Sequence, residues 1–205
     1  MHVAIAGNIG SGKTTLAKML SKHYGWELQL EDMDENPYIS DFYDDMQRWS
    51  FNLQVYFLHN RFAKIKKLRD EERTVVQDRS IYEDAQIFAP NLHAMGLMST
   101  RDFDNYMDLF KNLNTFITPP DVMIYLRASI PKLVEQIQKR GRDYEQNIEA
   151  SYLQKIHDGY SGFIKTEQHL NTLIIDVSEL DFVNNYKDYK QILSIINLHD
   201  STIST

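Results

Sequence analysis

One run of residues near the start of the chain limits what it can fold into. The run Gly7-Asn8-Ile9-Gly10-Ser11-Gly12-Lys13-Thr14 fits the phosphate-binding pattern GxxxxGK[ST] at every position. Its glycines permit a sharp turn, so that backbone N–H groups and the N-terminus of a following helix can face one anion. Lys13 would reach the outer phosphates of a nucleoside triphosphate, and the Thr14 hydroxyl would bind Mg²⁺. The alternative is a glycine-rich turn that only ends a strand, and the complete pattern argues against it.

A β-rich stretch precedes this run and a helical stretch follows it, and the same alternation continues along the 205 residues. Short, apolar, β-branched stretches are typical of strands that are buried on both faces. The alternation predicts an α/β fold of the P-loop NTPase type, in which a five-stranded parallel sheet lies between two layers of helices. The expected strands are residues 2–6, 27–30, 74–77, 122–127 and 172–176.

The clearest helix is expected from about residue 49 to residue 68. Apolar residues recur there at steps of three and four, which is the spacing of one helix face: Phe51, Val55, Leu58, Phe62 and Ile65. The remaining helices are expected at residues 13–24, 82–88, 101–116, 131–140, 150–169 and 186–198. Because chains usually divide into domains only beyond ~250 residues, we expect a single domain over residues 1–205.

The composition excludes several classes of function. The formal net charge is −7 at pH 7, whereas duplex-binding proteins usually present a basic face, so nucleic acid is not an expected partner. The chain has no cysteine, which excludes thiolate catalysis and cysteine metal sites. No stretch approaches the ~18 apolar residues of a membrane span, and the N-terminus has no secretory signal pattern. We therefore expect a protein of the cytoplasm without a membrane partner.

Two acidic residues follow predicted strands on the side of the sheet where the phosphate loop should lie. Glu31 follows the second strand, and Asp78 follows the third and precedes Arg79. The carboxyl ends of parallel strands face one crevice, so both acids should lie beside the triphosphate. One could hold Mg²⁺ and the other could accept a proton from an attacking hydroxyl. Taken singly, either acid could instead be a helix cap or a surface carboxylate.

A basic cluster, Lys139-Arg140-Gly141-Arg142, follows the helix after the fourth strand. Such a cluster is often a solvated helix end, since cations suit a helix C-terminus. In a phosphotransferase it is also typical of a lid whose arginines neutralise the transferring phosphoryl group. We expect a lid over about residues 139–147.

Together these motifs resemble the deoxyribonucleoside kinase family, in its bacterial branch. The likeness extends from GNIGSGKT through DRSIYED to KRGRDYE, and the segment YDDMQRWSFNLQ from Tyr43 to Gln54 matches the family spacing YxxxxxWxxxxQ. The resemblance implies an ATP-dependent enzyme that uses Mg²⁺ to phosphorylate the 5′-hydroxyl of a deoxyribonucleoside for nucleotide salvage. It also implies a homodimer.

The resemblance further implies a role for individual residues at the acceptor. Glu31 is the expected general base, Arg79 lies beside the acceptor hydroxyl, and Tyr43 and Glu145 bind the sugar 3′-hydroxyl. Gln54 reads the edge of the base. The remaining residues of the base pocket are Phe57, which lines it, Phe88, which stacks on the base, and the Arg61/Asp84 pair.

At the donor, the expected phosphate-binding residues are the loop from Gly7 to Thr14, the following Thr15, and the lid residues Arg140 and Arg142. Thr14 and Asp78 are the expected Mg²⁺ ligands. The family usually has glutamate where this chain has Asp78, and a group of acids follows Glu31. The choice of Glu31 rather than Asp78 as the effective base therefore stays open.

Substrate choice is expected to depend on Asp84 and Gln54. Asp84 can accept a hydrogen bond from an exocyclic amine or ring N–H, and Gln54 both donates and accepts. This favours adenine, guanine and cytosine over thymine, and we expect deoxyadenosine to be preferred. The alternatives are a nucleoside monophosphate kinase of the thymidylate kinase type and a non-catalytic nucleotide-switch protein.

Overall fold

The computed structural model describes residues 1–31, 35–68, 73–145 and 148–199. Its strands form one sheet in the order β2-β3-β1-β4-β5, and every neighbouring pair is parallel. This confirms the predicted five-stranded parallel sheet. The strands are β1 (His2–Gly7), β2 (Glu27–Gln29), β3 (Val75–Asp78), β4 (Val122–Arg127) and β5 (Thr172–Asp176).

The three central strands are buried on both faces. In β1 the four consecutive residues Val3, Ala4, Ile5 and Ala6 are fully buried, and all of β3 is buried as well. Successive side chains of a strand point to opposite faces, so consecutive burial means that both faces of the sheet are covered. The three-layer α/β prediction is therefore confirmed.

The strand register places two functional segments at one edge of the sheet. Ile5 of β1 lies opposite Asp78, the last residue of β3. The phosphate loop leaves β1 at Gly7, and Arg79 follows Asp78, so both segments emerge on the same side. The carboxyl edge of a parallel sheet is where ligands bind in folds of this type.

The helices follow the predicted alternation, with α2 as an addition that the sequence did not indicate. In the described part of the chain no helix is both long enough and apolar enough to cross a membrane. The helices are α1 (Lys13–Tyr24), α2 (Ile39–Asp44), α3 (Met46–Leu68), α4 (Ile81–Glu83), α5 (Ala89–Ala94), α6 (Thr100–Asn114), α7 (Ile130–Arg140), α8 (Ala150–Thr166) and α9 (Tyr186–His199).

The predicted helix at residues 82–88 is wrong at its end, because the helical path continues through Pro90 to Ala94. A π-helical turn, Asp84–Phe88, joins α4 to α5, and the Ala89 N–H donates to the Asp84 carbonyl five residues earlier. Pro90 then lies in the first turn of α5, where its missing N–H leaves no hydrogen bond unmade.

The buried face of α3 also differs from the predicted one. Leu58 and Ile65 are buried as expected, but Phe51, Val55 and Phe62 are only partly buried. The face that points inward carries the polar residues Gln54 and Arg61 instead. Apolar periodicity misidentified this face because a polar ligand pocket, rather than hydrophobic core, lies beside part of the helix.

The helix α8 packs against the π-helical turn and α5 through a glycine. A Cβ atom added at Gly159 would lie 2.9 Å from both the Ile87 Cγ2 and the Asn91 Nδ2 atoms. Ile87 is fully buried and has no room to move away. Gly162, less than one turn later on the same helix, has no atom within 4 Å of such a Cβ.

We expect Gly159→Ala to lower the free energy of unfolding, since overpacking costs about 1–3 kcal/mol. Gly162→Ala is the matched control and should raise it by about 0.5–1 kcal/mol, because alanine is the better helix former. Urea unfolding followed by circular dichroism measures both. Equal effects of the two substitutions would contradict the close approach at Gly159.

Candidate active site

A cleft at the carboxyl edge of the sheet encloses about 790 Å³, including its open mouth. It brings together most of the residues that the sequence singled out, although they come from six separate segments. The predicted site residues that line it are Ile9, Gly10, Lys13, Thr14, Glu31, Tyr43, Gln54, Phe57, Asp78, Arg79, Asp84, Phe88, Arg140, Arg142 and Glu145.

The phosphate loop has the backbone that its glycines predict. Gly10 and Gly12 have φ angles of 84° and 90°, in the left-handed region that other residues rarely adopt. The space beside them is also closed: a Cβ at Gly10 would lie 2.8 Å from the Leu133 carbonyl oxygen, and one at Gly12 would lie 2.8 Å from Phe182. Glycine is thus required at both positions for two independent reasons.

Lys13 is buried within the loop, and its Nζ donates to the Asn8 carbonyl oxygen at 2.8 Å. Burial lowers the pKa of Lys13 to about 7, and the nearby positive charge of Arg79 adds to the shift. The carboxylates of Asp78, Glu83 and Glu31 oppose it. A bound anion would oppose the effect of burial in the same way as these carboxylates, because it favours the charged form of the lysine.

Asp78 lies directly beside Thr14, whose hydroxyl donates to Asp78 Oδ2. The other carboxylate oxygen, Oδ1, is buried and has no hydrogen-bond partner among the described residues. A buried acceptor without a partner is costly, so it normally serves a ligand. Carboxylate and hydroxyl oxygens are hard donors of the kind that Mg²⁺ prefers, and the two residues therefore fit a magnesium ion.

Arg79 has the only positive φ angle, 67°, among the non-glycine residues that the structure describes. Its N–H donates to the Ile5 carbonyl oxygen at 3.0 Å, which attaches this turn to β1. Its guanidinium lies 4.4 Å from the centre of the Phe88 ring, and its Nε lies 3.9 Å from Glu31 Oε2. Strained backbone of this kind is concentrated at functional sites, where surrounding contacts maintain it.

Arg61 joins two of the predicted acids. One guanidinium nitrogen pairs with Glu31 and the other with Asp84, and Arg61 and Asp84 are almost completely buried. The Phe57 ring lies 4.8 Å from the guanidinium carbon. Arg61 does not line the main cleft, whereas the two carboxylates that it holds do.

Within the predicted lid, two arginines pair with Glu145. Arg140 pairs with Glu145 Oε2, and Arg142 Nη1 lies 3.5 Å from Glu145 Oε1. The ring of Tyr43 stacks on that of Tyr144 with 5.5 Å between the centres. Burial raises the pKa of Tyr43, and the charge of Glu145 adds to the shift, so its hydroxyl stays protonated at neutral pH. Residues 146–147 of the predicted lid lie outside the described residues.

The far end of the cleft offers a polar group between aromatic rings. Gln54 is buried, and its Oε1 has no hydrogen-bond partner within the described ranges. Phe57 and Phe88 line the same end, with the carboxylate of Asp84 beside them. A flat heterocycle could lie between the rings, and an N–H group on its edge would satisfy the Gln54 Oε1 acceptor.

The remaining predicted phosphate-binding residues lie around the loop rather than in this cleft. Gly7 and Asn8, at the start of the loop, are buried. Ser11, Gly12 and Thr15 line a second cleft of about 410 Å³ on the other side of the loop, together with Phe182 and Val183. The phosphate loop thus separates two clefts that could each take part of a ligand.

Several residues of the site were not predicted from the sequence. Tyr152, Ile39, Phe42 and Leu53 line the main cleft, and their spacing carries no signal. Glu83 and Tyr160 lie beneath the loop. Only Glu83 had a signal, because the spacing Ser80-x-x-Glu83 is typical of a helix start. Asp32 and Asp34, the acids that follow Glu31, lie outside the described residues.

Comparisons with known proteins agree with this geometry. Residues 3–199 match the family model "Deoxynucleoside kinase". The chain is 37% identical to a deoxyadenosine/deoxycytidine kinase of Bacillus subtilis over 97% of its own length and 94% of that protein. It is 36% identical to a deoxyguanosine kinase of the same organism, with 93% of each chain covered.

A solved structure supports the same assignment. The deoxyadenosine kinase from M. mycoides, determined with its products dCMP and dCDP bound, superposes with a TM-score of 0.86 at 30% identity. The superposition covers 96% of this chain and 99% of the other. On the family match, these relatives and the shared fold, the chain belongs to the deoxynucleoside kinase family.

Proposed function

We propose that this kinase acts in the cytoplasm, transferring the γ-phosphoryl group of ATP to the 5′-hydroxyl of a deoxyribonucleoside and so supplying a monophosphate for nucleotide salvage. One observation carries the proposal: a single cleft joins Lys13 and Thr14 of the phosphate loop to Glu31 and Arg79, and continues to a pocket containing Gln54. A triphosphate at one end and a nucleoside at the other would meet at Glu31 and Arg79. The relatives named as deoxyadenosine, deoxycytidine and deoxyguanosine kinases support it.

The donor would span the two clefts that the loop separates. In this arrangement the phosphates lie over the backbone N–H groups of the loop, and Lys13 turns from the Asn8 carbonyl to a phosphate oxygen. The nucleoside part of ATP lies beside Phe182 in the second cleft. Thr14 and Asp78 would hold Mg²⁺, which neutralises charge on the phosphates when it is bound.

Glu31 is the proposed general base. Asp78 and Glu31 both line the cleft, but Asp78 accepts a hydrogen bond from Thr14 and is the proposed partner of Mg²⁺, which leaves Glu31 for the proton. Arg61 pairs with one oxygen of Glu31, and the Arg79 Nε atom lies 3.9 Å from the other, Oε2. Glu31 would accept the proton of the 5′-hydroxyl as the new bond to phosphorus forms, and Arg79 would stabilise the transferring group.

Tyr43 and Glu145 are proposed to bind the sugar 3′-hydroxyl. Both line the same cleft as Gln54, so a sugar could contact them if the base lies beside Gln54. Glu145 pairs with Arg140 and Arg142, so a sugar hydroxyl at Glu145 would free donors of the two arginines for the phosphates. We regard residues 1–205 as one domain with this lid at about 139–147.

The charges of the cleft argue against a nucleoside monophosphate as the acceptor. A second phosphate would need its own cations, but the acceptor end carries the carboxylates of Asp84 and Glu145. The cations in contact with these acids are paired already: Arg61 binds Asp84 and Glu31, and Arg140 and Arg142 bind Glu145. A nucleotide-switch protein transfers no phosphoryl group to an acceptor, so it would not need an acceptor pocket.

We expect Glu31→Gln to lower kcat by ~10²–10⁴-fold, because the amide cannot accept the proton. The assay is transfer from Mg·ATP to the four deoxynucleosides, the matching ribonucleosides and thymidylate. Glu135→Gln, at an exposed position of α7, is the control and should keep wild-type activity. Transfer to thymidylate alone would reject the nucleoside pocket and the roles of Tyr43 and Glu145.

We further propose a preference for purine deoxynucleosides, with deoxyadenosine first, because Asp84 is an acceptor beside the Gln54 pocket. A hydrogen bond to a charged group is worth about 1.5–3 kcal/mol, so Asp84→Asn should lower the kcat/KM ratio of deoxyadenosine to thymidine by ~10–100-fold. Because this ratio compares two substrates of the same variant, any loss of kcat/KM that affects both equally cancels. Asp104→Asn, an exposed change on α6, should leave it unchanged. An unchanged ratio in Asp84→Asn would refute this basis of selectivity.

We propose that the enzyme is a homodimer that pairs through α3 and α6. These helices pack against each other and together present partly exposed apolar residues, including Phe51, Phe62 and Leu109. Light scattering should give twice the mass of one chain. A monomeric mass at micromolar concentration would contradict this pairing.

A further inference from the structure

Beneath the phosphate loop lies a carboxylate that the proposed reaction does not use. Glu83 is fully buried, and among the described residues it forms no ion pair within 4.0 Å. Burying a carboxylate without a direct countercharge is costly unless hydrogen bonds satisfy both of its oxygens. Both oxygens of Glu83 are therefore expected to have hydrogen-bond partners.

The two oxygens of Glu83 bind two different segments of the active site. Oε2 accepts from the Ser80 N–H at 2.8 Å. Oε1 lies 2.5 Å from the Tyr160 hydroxyl and 3.4 Å from the Gly7 nitrogen. Ser80 directly follows Arg79, and Gly7 is the residue at which β1 becomes the phosphate loop. One carboxylate thus connects the Arg79 turn with the start of the loop.

Tyr160 of α8 completes the connection. Its hydroxyl oxygen accepts from the Gly7 N–H at 3.0 Å and lies 2.8 Å from the Gly7 carbonyl oxygen. The hydroxyl has one proton, which it donates either to that carbonyl or to Glu83. Burial and the charge of Glu83 raise the pKa of Tyr160, so the proton is retained at neutral pH. Tyr160 thus accepts from the Gly7 N–H in either case, and it also holds the Gly7 carbonyl when its proton is donated there.

We propose that Glu83 and Tyr160 are positioning residues for phosphoryl transfer, and that they fix the phosphate loop relative to Arg79. The proposal rests on the function proposed above. Arg79 has a left-handed backbone, which persists only where neighbouring contacts impose it. Its own N–H is bound to Ile5, and the next N–H is bound to Glu83. Loss of the second contact would let the guanidinium move relative to Lys13.

A purely structural role predicts a different distribution of contacts. A glutamate that only started the short helix α4 would need one oxygen on the Ser80 N–H. The second oxygen and the tyrosine add nothing to that helix start, since they act on Gly7 in another strand. A displacement of about 1 Å in a phosphoryl-transfer site costs on the order of 10²-fold in rate, so this connection should be visible in kcat.

Glu83→Gln keeps the shape of the side chain but offers a single acceptor oxygen. Its NH₂ group must then face either the Ser80 N–H or the Gly7 and Tyr160 side. We expect kcat to fall by ~10²-fold, while the KM for Mg·ATP stays within about threefold of the wild-type value. Melting curves from circular dichroism establish that the variant is folded.

Tyr160→Phe is the second variant and should lower kcat by about 10-fold, because Gly7 loses its hydroxyl partner while Glu83 stays in place. Tyr125→Phe is the matched control. The Tyr125 ring stacks on that of Tyr160 with 4.7 Å between the centres, so the same hydroxyl is removed from the adjacent ring. It should leave kcat unchanged.

The double variant Glu83→Gln/Tyr160→Phe should be little slower than Glu83→Gln alone, since the two residues act as one unit. Melting temperatures that fall while kcat stays at the wild-type value would overturn the proposal and leave a structural role. If Glu83→Gln does not fold, the other two variants test the proposal. A kcat that falls in Tyr160→Phe but not in Tyr125→Phe would support it, and equal kcat values would overturn it. A wild-type chain that phosphorylates no deoxynucleoside would instead refute the function on which the inference rests.

Discussion

The parallel pairing of β1 with β3 is the constraint on which the rest of the active site depends. It sets Ile5 opposite Asp78, and so fixes the position of the phosphate loop, which follows β1, relative to Asp78 and Arg79 at the end of β3. A shift by one residue would turn Asp78 to the other face of the sheet and move it away from Thr14. The hydrogen bond from the Arg79 N–H to Ile5 extends the same pairing beyond the end of the strand. The chemistry of the cleft is in this sense a consequence of backbone hydrogen bonding.

The cleft concentrates charge in a region with little water. Its buried or partly buried cations are matched by carboxylates at short range, as in the bridge from Glu31 through Arg61 to Asp84. Unpaired buried charges are expensive, so such a site stays folded only if its charges balance before a ligand arrives. Lys13 differs from these cations, because its Nζ donates to the Asn8 carbonyl oxygen and burial lowers its pKa.

The sequence predicted the parts of the structure that have a local signal. The predicted strands at 122–127 and 172–176 agree with the structure at both ends, because each is a short apolar stretch that contains β-branched residues. The phosphate loop was recognisable because its glycines serve a backbone geometry that few other patterns need. The helix through Pro90 was not, since the π-helical turn that accommodates it has no sequence mark.

The rest of the site could not be predicted because its partners are distant in the chain. Tyr160 meets Gly7 across 153 residues, and nothing near either residue indicates the contact. The pairing of Arg140 with Glu145 was missed for a different reason. The two residues lie only five positions apart, but the resemblance gives a lid arginine and a sugar-binding acid separate roles. Local spacing identified which residues matter, and the tertiary fold decided which of them touch.

The arginine bridge has a consequence for attempts to redesign the enzyme. With one planar group, Arg61 holds Asp84, which lies beside the proposed base pocket, and Glu31, the proposed general base. A substitution that changes which nucleobase is accepted through Asp84 therefore also disturbs Glu31, and selectivity and turnover cannot be adjusted separately by that route. Gln54 offers an independent starting point, since its Oε1 has no protein partner among the described residues and an exchange there leaves the bridge intact. Directed evolution toward nucleoside analogues should explore Gln54 and its aromatic neighbours before Asp84.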